Sequence, residues 1–117
     1  MKIMIVDDAY FVRMKLKGVL SMLDFEVIEA ENGEQAVQLF KDESPNIIFM
    51  DVVMPKKDGL SALKEIRALS QDVKIVMLTS EGDQATLLRA LDQGANHYII
   101  KPFEDDKVLE LVQNLLQ

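Results

Sequence analysis

The chain has no cysteine and no tryptophan, and only three prolines and five glycines among its 117 residues. Without cysteine there is no disulfide framework and no thiolate metal site, which fits a reducing compartment, and the cytoplasm is the expected location. Long apolar runs are also missing. None approaches the roughly 20 residues that cross a bilayer. The N-terminus shows no charged segment followed by an apolar one and a small-residue cleavage site, so neither membrane insertion nor a secretory signal is expected. Positive charge is in deficit. Thirteen basic residues face 20 acidic ones, giving a net charge of -7 and a pI near 4.6. Sequence-independent binding to a phosphate backbone needs a basic face, so direct nucleic-acid binding is excluded.

What is present is the composition of one soluble α/β domain over residues 1–117, with 49% hydrophobic and 28% charged residues. Four short apolar runs each stop on a polar group. Ile3 to Val6 ends on Asp7-Asp8, Ile47 to Met50 on Asp51, Lys74 to Leu78 on Thr79, and Tyr98 to Ile100 on Lys101-Pro102. Such runs, separated by helical patterns, read as parallel strands covered on both faces. Phe25 to Ala30 is a fifth strand, interrupted by Glu26 and Glu29 and so placed at a sheet edge. His97 to Ile100 is short enough for the other edge.

Between the strands, Val12, Leu16, Val19, Leu20 and Leu23 recur at helical spacing, and a second helix runs from about Glu34 to Lys41 after the Asn32-Gly33 turn. Ala62, Leu63, Ile66 and Leu69 define a third helix. Leu87, Leu88 and Leu91 are expected on the inner side of a fourth, reached through Ser80-Glu81-Gly82-Asp83 and closed by Gly94 as a left-handed cap. Val108, Leu111, Val112 and Leu115 stripe a fifth, with Glu104, Asp105 and Asp106 at the positive end of its dipole.

In a parallel sheet the carboxyl ends of the strands share one edge, where open α/β sheets bind ligands. Asp7, Asp8, Asp51, Thr79 and Lys101 are therefore expected to converge. Three carboxylates in one place require a proton or a cation. A hard divalent cation such as Mg²⁺ meets the need with few protein oxygens. Asp8, Asp51 and the Val53 carbonyl are the expected direct ligands, with Asp7 acting through a bound water. Lys101 pairs with Asp51 or with an anion there. Taken alone, Asp7-Asp8 could equally cap a helix and Asp58-Gly59 be an ordinary turn. His97 reads as a surface or packing residue, and Met77 and Met54 as core and groove packing. Tyr10 and Phe11 either pack on the first helix or face a partner.

The ordered set of these motifs resembles, over the whole chain, a receiver domain of the two-component response regulators, particularly the single-domain chemotaxis type. Asp7-Asp8 match the family's paired acids, Asp51 in Met50-Asp51-Val52-Val53-Met54-Pro55 its phospho-acceptor, Thr79 its hydroxyl, Lys101 its lysine and Tyr98 its switch aromatic. The resemblance implies a flavodoxin-like, doubly wound (βα)5 sheet of order 2-1-3-4-5, for which this family is itself a standard example. It also allows a cis Lys101-Pro102 bond.

It implies a function as well. A histidine kinase, or a small acyl phosphate, would pass a phosphoryl group to Asp51 with Mg²⁺ bound. Thr79 and Tyr98 would then shift, and a downstream effector or motor protein would read the face made by the fourth helix, last strand and last helix, where Leu109 and Leu116 lie off the inward stripe. The protein would be a switch that modifies itself rather than an enzyme. Glu81, two residues past Thr79, is placed to hold a hydrolytic water, whereas Val53, two past Asp51, offers no polar side chain. The lack of an attached effector domain points to action by association with a separate protein, unless the chain is one domain of a longer protein. Two other classes are open: a receiver-like scaffold working without phosphorylation, and a flavodoxin-type cofactor protein, whose phosphate Asp7-Asp8 would repel.

Overall fold

The computed structural model describes residues 1–80 and 84–116. Ten elements alternate: β1 (Lys2–Val6), α1 (Tyr10–Leu20), β2 (Glu26–Ala30), α2 (Gly33–Glu43), β3 (Ile47–Asp51), α3 (Gly59–Leu69), β4 (Lys74–Ser80), α4 (Gln84–Asp92), β5 (His97–Lys101) and α5 (Asp105–Leu115). The strands form one parallel sheet in the order β2-β1-β3-β4-β5. This is the flavodoxin-like arrangement. The two strands expected at the edges are at the edges.

Successive strand residues point to opposite faces, and the core divides accordingly. Ile3, Ile5, Phe49, Val76, Leu78 and Ile99 pack under α1 and α5, against Leu16, Leu20, Val108 and Val112. Met4, Val6, Ile48, Met50, Ile75 and Met77 pack on the other side, against Phe40 of α2, Leu63 and Ile66 of α3 and Ala90 of α4. With both faces covered, β1, β3 and β4 read as continuous apolar runs. Burying each large side chain contributes about 1.5–3 kcal/mol.

The fourth helix departs from expectation. Ala90, not a leucine, is its fully buried residue; Leu87 and Leu91 are half-buried and Leu88 is 65% exposed. Each helical residue turns about 100°, so Leu88, two before Ala90, faces almost directly away. Leu69, at the last turn of α3, is likewise exposed. Leu109 is half-buried against the α1/α5 layer, because it flanks Val108 on the helix, while Leu116 stays exposed. The role assigned to Glu81, and the Glu81-Gly82-Asp83 approach to α4, lie outside the described residues.

Local chemistry sets the ends of the elements. Asn32 caps α2 by accepting from the Gln35 amide at 2.9 Å, and Asp58 caps α3 by accepting from the Ser61 amide at 2.8 Å. Gly94 adopts φ 110°, the left-handed cap expected of it. Arg67 donates to the carbonyls of Val73 and Gly94, both at 2.7 Å, tying the end of α3 to the turn before β5. Gly59 is required for a different reason. A Cβ there would sit 2.1 Å from the Asp51 carbonyl oxygen, so the start of α3 lies directly on the end of β3.

Gly59→Ala is therefore expected to lose about 1–3 kcal/mol in urea unfolding, the usual cost of overpacking. Gly18 provides the contrast, since nothing lies within 4 Å of a Cβ built there and it sits on the exposed side of α1. Gly18→Ala should raise stability by about 0.5–1 kcal/mol through helix propensity. Equal effects of the two substitutions would contradict this account of the β3–α3 junction.

Candidate functional site

β1, β3 and β5 end side by side at the carboxyl edge of the sheet, with β4 between the last two, and this brings the predicted groups together. Asp7 is fully buried. One of its carboxylate oxygens accepts from the Ala9 amide at 2.8 Å and the other from Lys101 Nζ at 2.8 Å. Lys101 reaches over the ends of β4 and β3 to make this contact, and its ammonium also lies 3.2 Å from Asp51 Oδ2. Asp51 is 8% exposed, and its Oδ1 accepts from the Val53 amide at 3.3 Å. Asp8 stands exposed at the rim.

Thr79 is buried at the end of β4, where, among the described residues, its hydroxyl makes a long 3.4 Å bond to the Ser80 carbonyl. In register it pairs with Ile100, two residues from Tyr98, so Thr79, Ile100 and Tyr98 share the sheet face that carries α4. Tyr98 is 41% exposed. The Lys101–Pro102 peptide is cis.

Two details refine the expectations. Lys101 was expected to pair with Asp51 or an anion, yet its shorter contact is to Asp7. Nor does either acid cap α1 in the usual way: the N-cap is Ala9, with no side-chain cap, and Asp7 instead accepts from the Ala9 amide. Burial first, and then repulsion from Asp7, push the Asp51 carboxyl above the ordinary carboxylate range, while Lys101 and the Val53 amide pull it partly back. For Lys101 burial acts downward, but its hydrogen bond to Asp7 and the attraction of Asp51 outweigh it, and its pKa is raised.

One carboxylate oxygen from each of Asp7, Asp8 and Asp51 lies within 4.8 Å of the others. Three acids face one ammonium. All three donors are hard oxygens and one is open to solvent, which fits a hydrated Mg²⁺ and gives no foothold to a soft metal.

Sequence reasoning missed two residues here. Gly59 forms part of the floor, as its contact with the Asp51 carbonyl requires. Arg13, buried at 8% exposure, donates from Nη1 to the Asp7 carbonyl at 2.8 Å. The signal was a charged residue three positions before Leu16, within the inward arc of α1, where a cation needs partners.

The raised Asp51 pKa has a direct consequence for stability. The native state favours the protonated carboxyl, so the stability tied to this group is fully present below the ordinary value of 3.8 and is lost as pH rises through the raised one. In the absence of divalent cations, Asp51→Asn should raise the thermal midpoint at pH 7, and the gain should shrink as the pH falls toward 4. Scanning calorimetry in EDTA reads both. A lower midpoint for the variant at pH 7 would mean that the Lys101 contact outweighs burial and repulsion.

Comparison with known proteins agrees with this arrangement. Residues 3–113 match the family model of the response regulator receiver domain. The chemotaxis protein CheY of Bacillus subtilis (strain 168) is 45% identical over 116 residues, covering 98% of this chain and 97% of its own. The chemotaxis protein CheY of Listeria monocytogenes is 41% identical over 114 residues, covering 97% and 96%. Among solved structures, the receiver domain of NtrX from Brucella abortus matches with a TM-score of 0.92 at 29% identity, covering 97% of both chains. With matched motifs, strand order and acidic corner all in agreement, the chain belongs to the response regulator receiver domain family.

Proposed function

We propose that this protein is a two-component phospho-acceptor in which Asp51 takes a phosphoryl group from a histidine kinase and the change alters binding to a partner protein. The observation that carries the reading is the meeting of Asp7, Asp8 and Asp51 within 4.8 Å, with the Lys101 ammonium 3.2 Å from Asp51. An Asp51 carboxylate oxygen attacks phosphorus, and the P–N bond of the donor breaks with its electron pair leaving on the imidazole. The Lys101 ammonium balances charge on the transferred group, and the Thr79 hydroxyl, whose bond to the Ser80 carbonyl is a long 3.4 Å, is placed to donate to a phosphoryl oxygen. Asp8, Asp51 and the Val53 carbonyl would hold Mg²⁺, with Asp7 behind them. The bound ion would supply charge neutralisation to the transferring oxygens. The acyl phosphate stays on the chain until water removes it, so the protein acts as a self-modifying switch rather than as an enzyme with a separate substrate.

The readout would lie on the α4-β5-α5 face. A cleft of about 630 Å³ opens there, lined by Tyr98, Ile100, Lys107, Glu110 and Leu111 among others. Tyr98 is one of its lining residues and shares a sheet face with Thr79. A displacement of Thr79 toward the phosphoryl group would therefore clear space that the Tyr98 ring can enter. Phosphate shifts such an equilibrium only by its differential affinity for the two states. The similarity to chemotaxis proteins supports a motor or kinase-regulating effector as the partner and the cytoplasm as the compartment. No helix of the described residues is long and apolar enough to cross a membrane.

Incubation with acetyl phosphate and Mg²⁺ should add one phosphoryl group by intact-mass measurement. Asp51→Asn should take none, and EDTA should suppress labelling of the wild type. Labelling of Asp51→Asn at the normal level would remove Asp51 from its assigned role. For the switch, structures with and without a beryllofluoride mimic should differ at Thr79 and Tyr98; identical positions together with unchanged partner affinity would refute it.

A further inference from the structure

We propose that Arg13 is a positioning residue for the acidic pocket, fixing the Asp7–Asp8 turn so that the carboxylates are presented to the cation. The inference rests on reading that pocket as a Mg²⁺ site. Arg13 lies in the first turn of α1 and is almost fully buried, unlike the exposed Tyr10, Phe11 and Met14 around it. Its guanidinium joins three elements. Nη1 donates to the Asp7 carbonyl at 2.8 Å in a buried bond. Nε donates to Glu29 Oε1 of β2 at 3.1 Å, and Nη2 lies 3.5 Å from Glu31 Oε1 just beyond that strand. The guanidinium carbon stands 5.8 Å from the centre of the Tyr10 ring.

The Asp7 carbonyl belongs to the peptide that leads directly into Asp8. Its orientation sets where the Asp8 side chain departs and how the Asp7 carboxylate meets Lys101 and the Ala9 amide. A rigid fork on that carbonyl therefore constrains two of the three acids at once. Groups that orient metal ligands from behind typically change metal affinity by about 10–100-fold when removed.

Two effects of removing Arg13 oppose each other, which makes the role testable. Loss of a cation near an acidic pocket would by itself strengthen Mg²⁺ binding. Glu29 and Glu31 already neutralise the guanidinium, so that field is small, and the positional loss is expected to win. Arg13→Met keeps the length and apolar character of the stem and removes every donor. Its Mg²⁺ dissociation constant, measured by titration calorimetry on the unphosphorylated protein, should rise about tenfold. Arg13→Lys can reach the Asp7 carbonyl or Glu29 but lacks the fork, and should fall between the two. The amide resonances of Asp8 and Ala9 should shift in the metal-free variants.

Thermal melts identify the variants that retain a cooperative fold at the titration temperature. If Arg13→Met does not, Arg13→Lys carries the test alone. A folded variant that binds Mg²⁺ as tightly as wild type, or more tightly, overturns the proposal; a lowered midpoint with unchanged Mg²⁺ affinity assigns Arg13 to stability only. Acetyl phosphate labelling of the wild type is a separate measurement. Its failure would strike the phosphorylation reading, while the Mg²⁺ titration still decides the role of Arg13.

Discussion

The Lys101 ammonium holds together what would otherwise repel. Asp7 is fully buried and Asp51 nearly so, and burial together with repulsion from Asp7 raises the cost of ionising Asp51. A cation placed 2.8 Å from one and 3.2 Å from the other lets both remain close without moving either strand end. The contact spans the sheet from β5 to β1, so it also joins the last strand of the chain to the first. The acidic corner exists only if β1, β3, β4 and β5 are in register. The register in turn depends on two cores, one under α1 and α5 and one under α2 to α4, being filled at the same time.

Little of the stabilising energy resides at the site itself. The aliphatic residues of β1, β3 and β4 are almost fully buried, and their removal from water outweighs the electrostatic cost of the corner they carry. The strand ends are thus fixed by packing, and the polar groups are held where packing leaves them. This order of causes explains why the junction between β3 and α3 is so close that Gly59 leaves no room for a Cβ. The backbone beneath Asp51 is set by helix-on-strand contact, and the carboxylate projects from a floor that cannot relax downward.

Much of this was visible in the sequence because the strands are buried on both faces. An apolar run that stops on an acid, hydroxyl or lysine marks both the strand and its carboxyl end, and the positions of Asp51, Thr79 and Lys101 at the sheet edge are legible in that way. Helical faces were harder. Leucines at 87, 88 and 91 look equivalent in one dimension, yet only rotation about the axis separates Leu88 from the core, and small Ala90 takes the buried position. Pairings between distant charges were less accessible still. Nothing local indicates that Lys101 approaches Asp7 more closely than Asp51, or that Arg13 meets Glu29 and Glu31, since such distances depend on strand twist and helix placement. Arg13 nonetheless left a trace as a charge within an apolar arc.

The division of the sheet into two faces bears on how far a disturbance at the site can travel. Thr79 and Met77 alternate with Leu78, and through the register with β5 they share a side with Ile100 and Tyr98, while Leu78 and Ile99 face the other way. Close-packed interiors compress little and transmit strain, so a displacement of Thr79 is passed to the neighbours it touches. Val76, Leu78 and Ile99 lie on the opposite side, in the layer under α1 and α5, but at the edge strand Tyr98 and Ile100 line a cleft together with Lys107, Glu110 and Leu111 of α5. The β5 edge is in this sense the seam between two plates, where a change on the α4 side would reach residues of α5.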